Sequence, residues 1–339
     1  MSTVLIPQVD ITASPDGKGL SAPSIAHIGQ AFLVATPETF GQTLDWIIAN
    51  VSHLTVSIDV SQLTSAADIR TLLDAGVTRV FATLEQLQEL RPAIKDTRLV
   101  LVLDMTHSKD KIIDAIAETP LGVFAKHVQD LDFVTGWLNE YGANNRPPVY
   151  VSFGYVPTLK DVKSIAELLA TSIIRAELLT VDSKANPDLL SVTEVLCAGA
   201  VSDRPDGLLT TLVVDERGVG LGLVYSSKES VSESLRTGRG VYQSRKRGLW
   251  YKGGTSGAIQ ELIKIDQDCV GDCLRFIVRQ KGTGGSPNSS IDFHPDINLV
   301  SRILSPGNQY MLWQLHWSIK ATKDSSLPER EFHRGLIHC

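Results

Sequence analysis

The stretch Ala66-Ala-Asp-Ile-Arg-Thr-Leu-Leu-Asp-Ala75-Gly76-Val77-Thr-Arg-Val-Phe81-Ala82 decides the fold of the first part of this chain. Residues 66–75 form an amphipathic helical pattern, and Gly76 stands where a helix C-terminus stops. Residues 77–81 then read as a strand. The same unit recurs on both sides. Short apolar runs at 4–6, 31–34, 54–58, 79–82, 99–103, 122–125 and 149–152 alternate with helix-like stretches at 43–49, 66–75, 84–90, 109–117 and 159–170. Alternation of this kind builds βα units on a parallel sheet. The expectation is an α/β domain over residues 1–200, with its parallel sheet closed in a barrel-like arrangement. No strand in it is followed by a Gly-rich nucleotide fingerprint or a P-loop. Asp10, Asp59 and Asp104 each close an apolar run at a strand C-terminus, where the acids of α/β-barrel active sites occur. Turn and helix-cap aspartates occupy the same positions. His27, His53, His107 and His127 read as surface or hydrogen-bonded histidines. The domain is read as a scaffold or a degenerate barrel, with no activity assigned.

Bulk properties narrow the class. The chain has 339 residues, 43% of them hydrophobic and 21% charged, which suits a globular protein large enough for two domains. A formal charge of −6 argues against general nucleic-acid binding. No apolar run approaches the roughly 18 residues of a membrane span, and residues 1–7 lack the pattern of a signal peptide. Four scattered cysteines, Cys197, Cys269, Cys273 and Cys339, do not make a disulfide framework. A reduced, cytoplasmic protein is expected.

The pattern changes at Asp203-Arg-Pro-Asp-Gly207, a turn-rich boundary. Residues 208–214 and 220–226 read as a hairpin joined by 215–218. A helix over 229–237 is stopped by Gly238, and strands follow at 241–244, 249–252, 261–265 and 274–279. These compose a strand-rich α+β module over residues 201–284. Within it, the span from Gly238 to Gly257 gathers Arg239, Arg245, Lys246, Arg247 and Lys252 among glycines and hydroxyls, with no acidic residue. Arginine forks and backbone N–H groups both complement phosphate oxygens. The cluster Asp266-Gln-Asp268-Cys269-Val-Gly-Asp272-Cys273 follows, mixing hard carboxylates with soft thiols. Together they read as a metalloenzyme acting on a phosphorylated substrate.

The order Arg239-Gly-Val-Tyr-x-Ser-Arg245-x-x-x-x-Trp250-x-Lys252-Gly-x-Thr255-Ser256-Gly257, followed by Asp268-Cys269-x-x-Asp272, resembles phosphoribosyl-AMP cyclohydrolase. Residues 203–215 and 221–227 are similar to the cyclohydrolase part of the fungal multifunctional histidine-biosynthesis proteins. The resemblance implies hydrolysis of the N1–C6 bond in the adenine ring of phosphoribosyl-AMP by a zinc-activated water, in a homodimer. It implies that Arg239, Arg245, Lys252, Thr255 and Ser256 bind the substrate's phosphates. It makes Cys269 a zinc ligand, and Asp268 and Asp272 magnesium ligands. Tyr242 or Trp250 would face the adenine or pack in the core.

The chain departs from the pattern at several points. Val270 stands in place of a third aspartate; in an extended segment, residues 268, 270 and 272 share one face. The two further zinc cysteines do not follow residues 280–284. Cys273 with His294 or His316 is one substitute, and a structural thiol is the other reading of Cys273. Ala258 replaces a polar residue. The tail, 285–339, has no helical or strand period, and the expectation is a non-native reading frame in a form truncated after the cyclohydrolase. A rival reading is a pseudoenzyme, or a non-catalytic module that binds a phosphoribosyl nucleotide.

Overall fold

The computed structural model describes residues 4–12, 19–105, 121–141, 147–268 and 271–282. The helical pattern at 109–117, His107, Cys269, Val270 and the tail lie outside them. Two compact units emerge, one over Ser2–Gly199 and one from Ala200 on.

The first unit is a closed barrel of eight parallel strands in sequential order. They are β1 (Leu5–Gln8), β2 (Gln30–Val34), β3 (Thr55–Asp59), β4 (Arg79–Ala82), β5 (Leu99–Asp104), β6 (Gly122–Val128), β7 (Val149–Phe153) and β8 (Thr171–Arg175). Closure comes from β8 pairing with β1, with Ile6 opposite Ile173. The barrel expectation holds. The apolar pattern misses β8, whose Thr171 and Ser172 interrupt an otherwise branched aliphatic run.

Helices α1 (Ala22–Ile28), α2 (Phe40–Asn50), α3 (Ala66–Asp74), α4 (Leu84–Leu90), α5 (Leu131–Tyr141) and α6 (Leu159–Glu167) lie between strands. Side-chain caps fix several of their starts. The Ser65 hydroxyl accepts from Asp68 N at α3, and capping boxes at Thr83–Gln86 and Thr158–Asp161 open α4 and α6. Gly76 follows α3 at φ +108, with its Cα so near the Val51 side chain that a Cβ would lie 2.7 Å from Cγ2. Only glycine satisfies both demands.

Strand alternation sorts the core into two layers. Inward residues Ile6, Phe32, Phe81, Val100, Phe124, Tyr150 and Ile173 fill the barrel. Phe81 meets Phe32, Phe124 and Tyr150 edge to face at 4.9, 5.3 and 4.9 Å, the geometry aromatic quadrupoles favour. Outward residues such as Val56, Ile58, Val80 and Leu101 pack under Ile47, Ile69, Leu72 and Leu87 of the helices. Two short parallel strands, β9 (Leu179–Thr180) and β10 (Leu190–Ser191), and α7 (Val192–Leu196) end the unit.

The second unit is a mixed sheet. It contains β11 (Leu209–Val214), β12 (Gly220–Ser226), α8 (Lys228–Thr237), β13 (Val241–Ser244), β14 (Gly248–Tyr251), β15 (Gln260–Gln267) and β16 (Cys273–Gln280). The sheet order is β12-β11-β16-β15, with β13 and β14 paired as a separate antiparallel hairpin. β11 and β16 run parallel at the centre, while β12 and β15 pair antiparallel at the edges. The core holds Val213, Val231, Leu235, Val241, Tyr242, Phe276 and Val278. β15 runs on past 265 because Asp266 is neutralised in place, by Lys264 at 2.8 Å and Arg275 at 2.6 Å. Among the described residues, no helix is long and apolar enough to cross a membrane.

Candidate functional site

α8 delivers the basic run. Its N-terminus is a capping box in which the Ser227 hydroxyl accepts from Ser230 N. Gly238, in the left-handed conformation, ends it. The chain then locks onto β15: Leu262 N donates to Gly238 O at 2.9 Å and Gly240 N to Gln260 O at 2.8 Å. Lys252 N donates to Gly240 O at 3.0 Å, which joins the start of β13 to the end of β14. The run is therefore a two-stranded hairpin with its cations at the two ends.

At the turn end, the Arg245 guanidinium lies 5.1 Å from the centre of the Tyr225 ring. Arg204 covers the same ring at 4.2 Å and pairs with Asp206 at 2.7 Å. The Asp206 carboxyl is held below the usual carboxylate range, first by the Arg204 hydrogen bond and in smaller part by the charge of Arg245. Arg204 thus stands beside Arg245, whereas the sequence marks 203–207 as a boundary and as part of the cyclohydrolase resemblance, with no role for Arg204 itself. Its signal was a lone arginine inside a turn, which nothing in a single sequence links to Arg245 some forty residues on.

At the open end, the Arg239 backbone makes an isolated antiparallel β-bridge with Glu261 of β15, and Lys252 follows β14. Thr255 and Ser256 lie exposed in the next loop. That loop is tight: Gly257 N donates to Gly253 O at 2.9 Å, and Gly253 sits at φ +83 where a Cβ would fall 2.3 Å from the Ala258 carbonyl carbon. Ala258 is buried, with its N–H on Ser256 Oγ at 3.4 Å. The structure thus gathers Arg239, Lys252, Thr255 and Ser256 at one end and leaves Arg245 at the other. The four residues of β14 between them span roughly 14 Å.

Trp250 joins the two ends. Arg247 lies 5.2 Å and Lys252 5.1 Å from its ring, within cation–π range. Its register partner Tyr242 projects to the same side of the hairpin, with the two ring centres 6.1 Å apart. Tyr242 is fully buried against Phe276, and its hydroxyl donates to Gln260 Oε1 at 2.7 Å. Burial alone pushes the Tyr242 phenol far up. Of the two aromatics, Tyr242 is core and Trp250 is the half-exposed ring. Tyr251 Oη donates to Glu233 at 2.7 Å and so ties β14 to α8; that hydrogen bond raises the Tyr251 phenol.

The carboxylate cluster differs from the extended segment expected. β15 ends at Gln267 and β16 begins at Cys273 antiparallel to it, so Asp268, Gly271 and Asp272 lie where the chain reverses, and period-two alternation does not carry from Asp268 to Asp272. Asp268 Oδ1 accepts from Gly271 N at 2.8 Å and from Cys273 N at 3.3 Å, the part of a turn-closing aspartate. Asp272 Oδ1 is buried in the same turn. Cys273 is half-buried, and desolvation, aided by Asp268 and Asp272, pushes its thiol up to about 12. That is the behaviour of a packed thiol, in keeping with the structural reading of Cys273. Among the described residues, no three His, Cys, Asp or Glu side chains gather as metal ligands. Asp268 and Asp272 share one turn and suit a hard ion that keeps several waters. Zinc's thiolate set is not assembled by the described residues.

The phosphoribosyl-AMP cyclohydrolase family profile matches residues 222–286, from β12 through both the basic hairpin and the carboxylate turn. The histidine biosynthesis bifunctional protein of Schizosaccharomyces pombe is 36% identical over 289 residues, covering 83% of this chain and 68% of that protein. The histidine biosynthesis trifunctional protein of Neurospora crassa is 38% identical over 266 residues, 78% of this chain and 30% of that protein. The phosphoribosyl-AMP cyclohydrolase of Granulibacter bethesdensis is 45% identical over 78 residues, 22% of this chain and 61% of that protein. The chain thus spans about two thirds of the bifunctional relative and under a third of the trifunctional one. A basic hairpin, the turn that follows it and a barrel ahead of them, within an alignment reaching across most of the chain, place this chain in the family of fungal multifunctional histidine-biosynthesis proteins that carry a phosphoribosyl-AMP cyclohydrolase domain.

Proposed function

We propose that the second unit hydrolyses phosphoribosyl-AMP: the water oxygen joins C6 of the adenine ring, and N1 departs with a proton as the N1–C6 bond breaks. The observation that carries this reading is the two-ended hairpin. The substrate bears one phosphate on each ribose, and the hairpin offers one cationic cluster at each end. Arg245, with Arg204 beside it, takes one phosphate. Arg239 and Lys252, with the hydroxyls of Thr255 and Ser256, take the other. Trp250 lies between and gives the base a ring to stack on. Fixing both phosphates holds the reacting ring in place, which removes orientational entropy from the barrier.

The metals belong to the same proposal. Cys269 is the zinc ligand carried by this segment, and Asp268 and Asp272 are the magnesium ligands. Zinc, when bound, supplies a water whose pKa is brought to about 7. The assembly is a homodimer, which light scattering of the purified chain tests. The rival reading, a module that binds the nucleotide without turning it over, shares the hairpin and differs only in the metals.

Titration calorimetry with phosphoribosyl-AMP, with chelator present to suppress turnover, tests the two-ended cradle. A charged hydrogen bond is worth about 1.5–3 kcal/mol. Arg245→Met and Lys252→Met should each weaken binding by about 10- to 100-fold. Affinity unchanged in either variant would remove that end from the site.

A further inference from the structure

The barrel holds a cavity that the cyclohydrolase reading does not use. It has a volume of about 760 Å³ and opens where the strands β1, β2, β3, β6, β7 and β8 end, since Gln8, Val34, Asp59, Lys126, Ser152 and Arg175 all line it. Size and position are those of the ligand sites of such barrels.

Its floor carries a charge pair. Lys126 Nζ lies 2.8 Å from Asp59 Oδ2, with the two side chains 14% and 1% exposed. Asp59 Oδ1 accepts from Ser61 N at 2.9 Å, so the carboxylate is held from both sides. Burying such a pair gains little stability over apolar residues of similar size. A pair retained for packing would also be roofed by side chains, whereas here the cavity stands over it.

The backbone beside Lys126 is irregular as well. The β6–β7 register shifts between Ala125 and Val128, and His127 adopts φ +58. A left-handed histidine costs about 1–3 kcal/mol. The conformation is fixed by the His127 N–H, which donates to Ser152 Oγ at 3.1 Å. Bulges of this kind re-aim a side chain. The irregularity falls directly after the lysine that points into the cavity.

The wall chemistry selects the ligand. The cations are already matched, Lys126 by Asp59 and Arg175 by Glu177 at 3.2 Å, and Asp10 adds a further carboxylate. An anion would meet more negative than positive charge. Gln8, Gln62, Thr36 and Ser152 both donate and accept hydrogen bonds, as hydroxyl groups do. Phe32 and Phe124 give the floor an apolar surface.

We propose that the barrel mouth is a second ligand site, for a small uncharged polyhydroxylated molecule. Its hydroxyls exchange hydrogen bonds with Lys126, Asp59, Gln8 and Ser152, and its carbon skeleton lies on Phe32 and Phe124.

The test is acetylation of the full chain by an activated acetate ester, mapped by mass spectrometry, with ribitol or inorganic phosphate present. Ribitol has no carbonyl, so it cannot condense with the amine. Only free protein reacts at Lys126, so ribitol at about nine times its Kd slows that site about tenfold. Exposed Lys160 keeps its rate and serves as the internal control. Phosphate leaves Lys126 unchanged. The double variant Asp59→Asn with Lys126→Met, which leaves neither charge unpartnered, loses NMR saturation transfer to ribitol. A Lys126 rate indifferent to ribitol, or slowed equally by phosphate alone, overturns the proposal. Neither result bears on the hairpin of the other unit, whose substrate is absent from the experiment.

Discussion

Tyr242 and Trp250 are register partners on one hairpin, and their surroundings give them opposite work. Trp250 lies half-exposed beneath Arg247 and Lys252. Base–aromatic stacking is worth about 1–3 kcal/mol, so Trp250→Leu should lower kcat/KM for phosphoribosyl-AMP by about 5- to 150-fold. The melting temperature should move little, because the ring is not core; a variant with wild-type kinetics would show that the base lies elsewhere. Tyr242 is buried, with a hydroxyl bonded to Gln260. Its folded pKa is raised, so its contribution is complete below the unfolded value near 10. Above that pH the unfolded chain loses the phenolic proton and the folded chain keeps it. Stability should therefore fall by about 1.4 kcal/mol per pH unit between roughly pH 10 and 12. Tyr242→Phe should lose that part of the slope, as urea titrations of both proteins across this range would show. Equal slopes would mean that Tyr242 ionises in the folded state.

The loop after β14 depends on one backbone position. Gly253 combines φ +83 with a Cβ direction blocked by the Ala258 backbone, so Gly253→Ala should destabilise by more than the roughly 1 kcal/mol of an unstrained glycine replacement. It should also raise KM, since Thr255 and Ser256 ride on the same loop. A variant with unchanged KM would separate the loop from the substrate. Elements of this size are where the sequence was most legible. The β11–β12 hairpin, α8 with its Gly238 stop, and seven of the eight barrel strands carry their own apolar periods and caps. β8 was not legible, because its hydroxyls hide an interior strand that only closure against β1 explains. Arg204 was not legible either, since its place over Tyr225 is set by the fold and not by spacing. The carboxylate turn misled for a related reason: alternation assumes an extended chain, and the hairpin reverses there. Lys126 gave no motif, and its meaning comes from Asp59, which lies 67 positions away.

Each unit of the molecule has its own buried core, so heat unfolding should show two calorimetric transitions rather than one. Phe124 packs against Phe32 and Phe81 inside the barrel. Phe124→Ala should cost the barrel about 3–5 kcal/mol and lower its transition alone. A single transition that shifts as a whole would show that the two cores melt together. The most direct measurement on the second unit is ring opening of phosphoribosyl-AMP by the purified chain, followed by absorbance with zinc and magnesium supplied and then withdrawn by chelation. The account predicts turnover that is lost on chelation, restored by the metals, and reduced by Arg245→Met and Lys252→Met. Tight binding of the substrate with no turnover at any metal concentration would contradict it, and would make this chain a nucleotide-binding module.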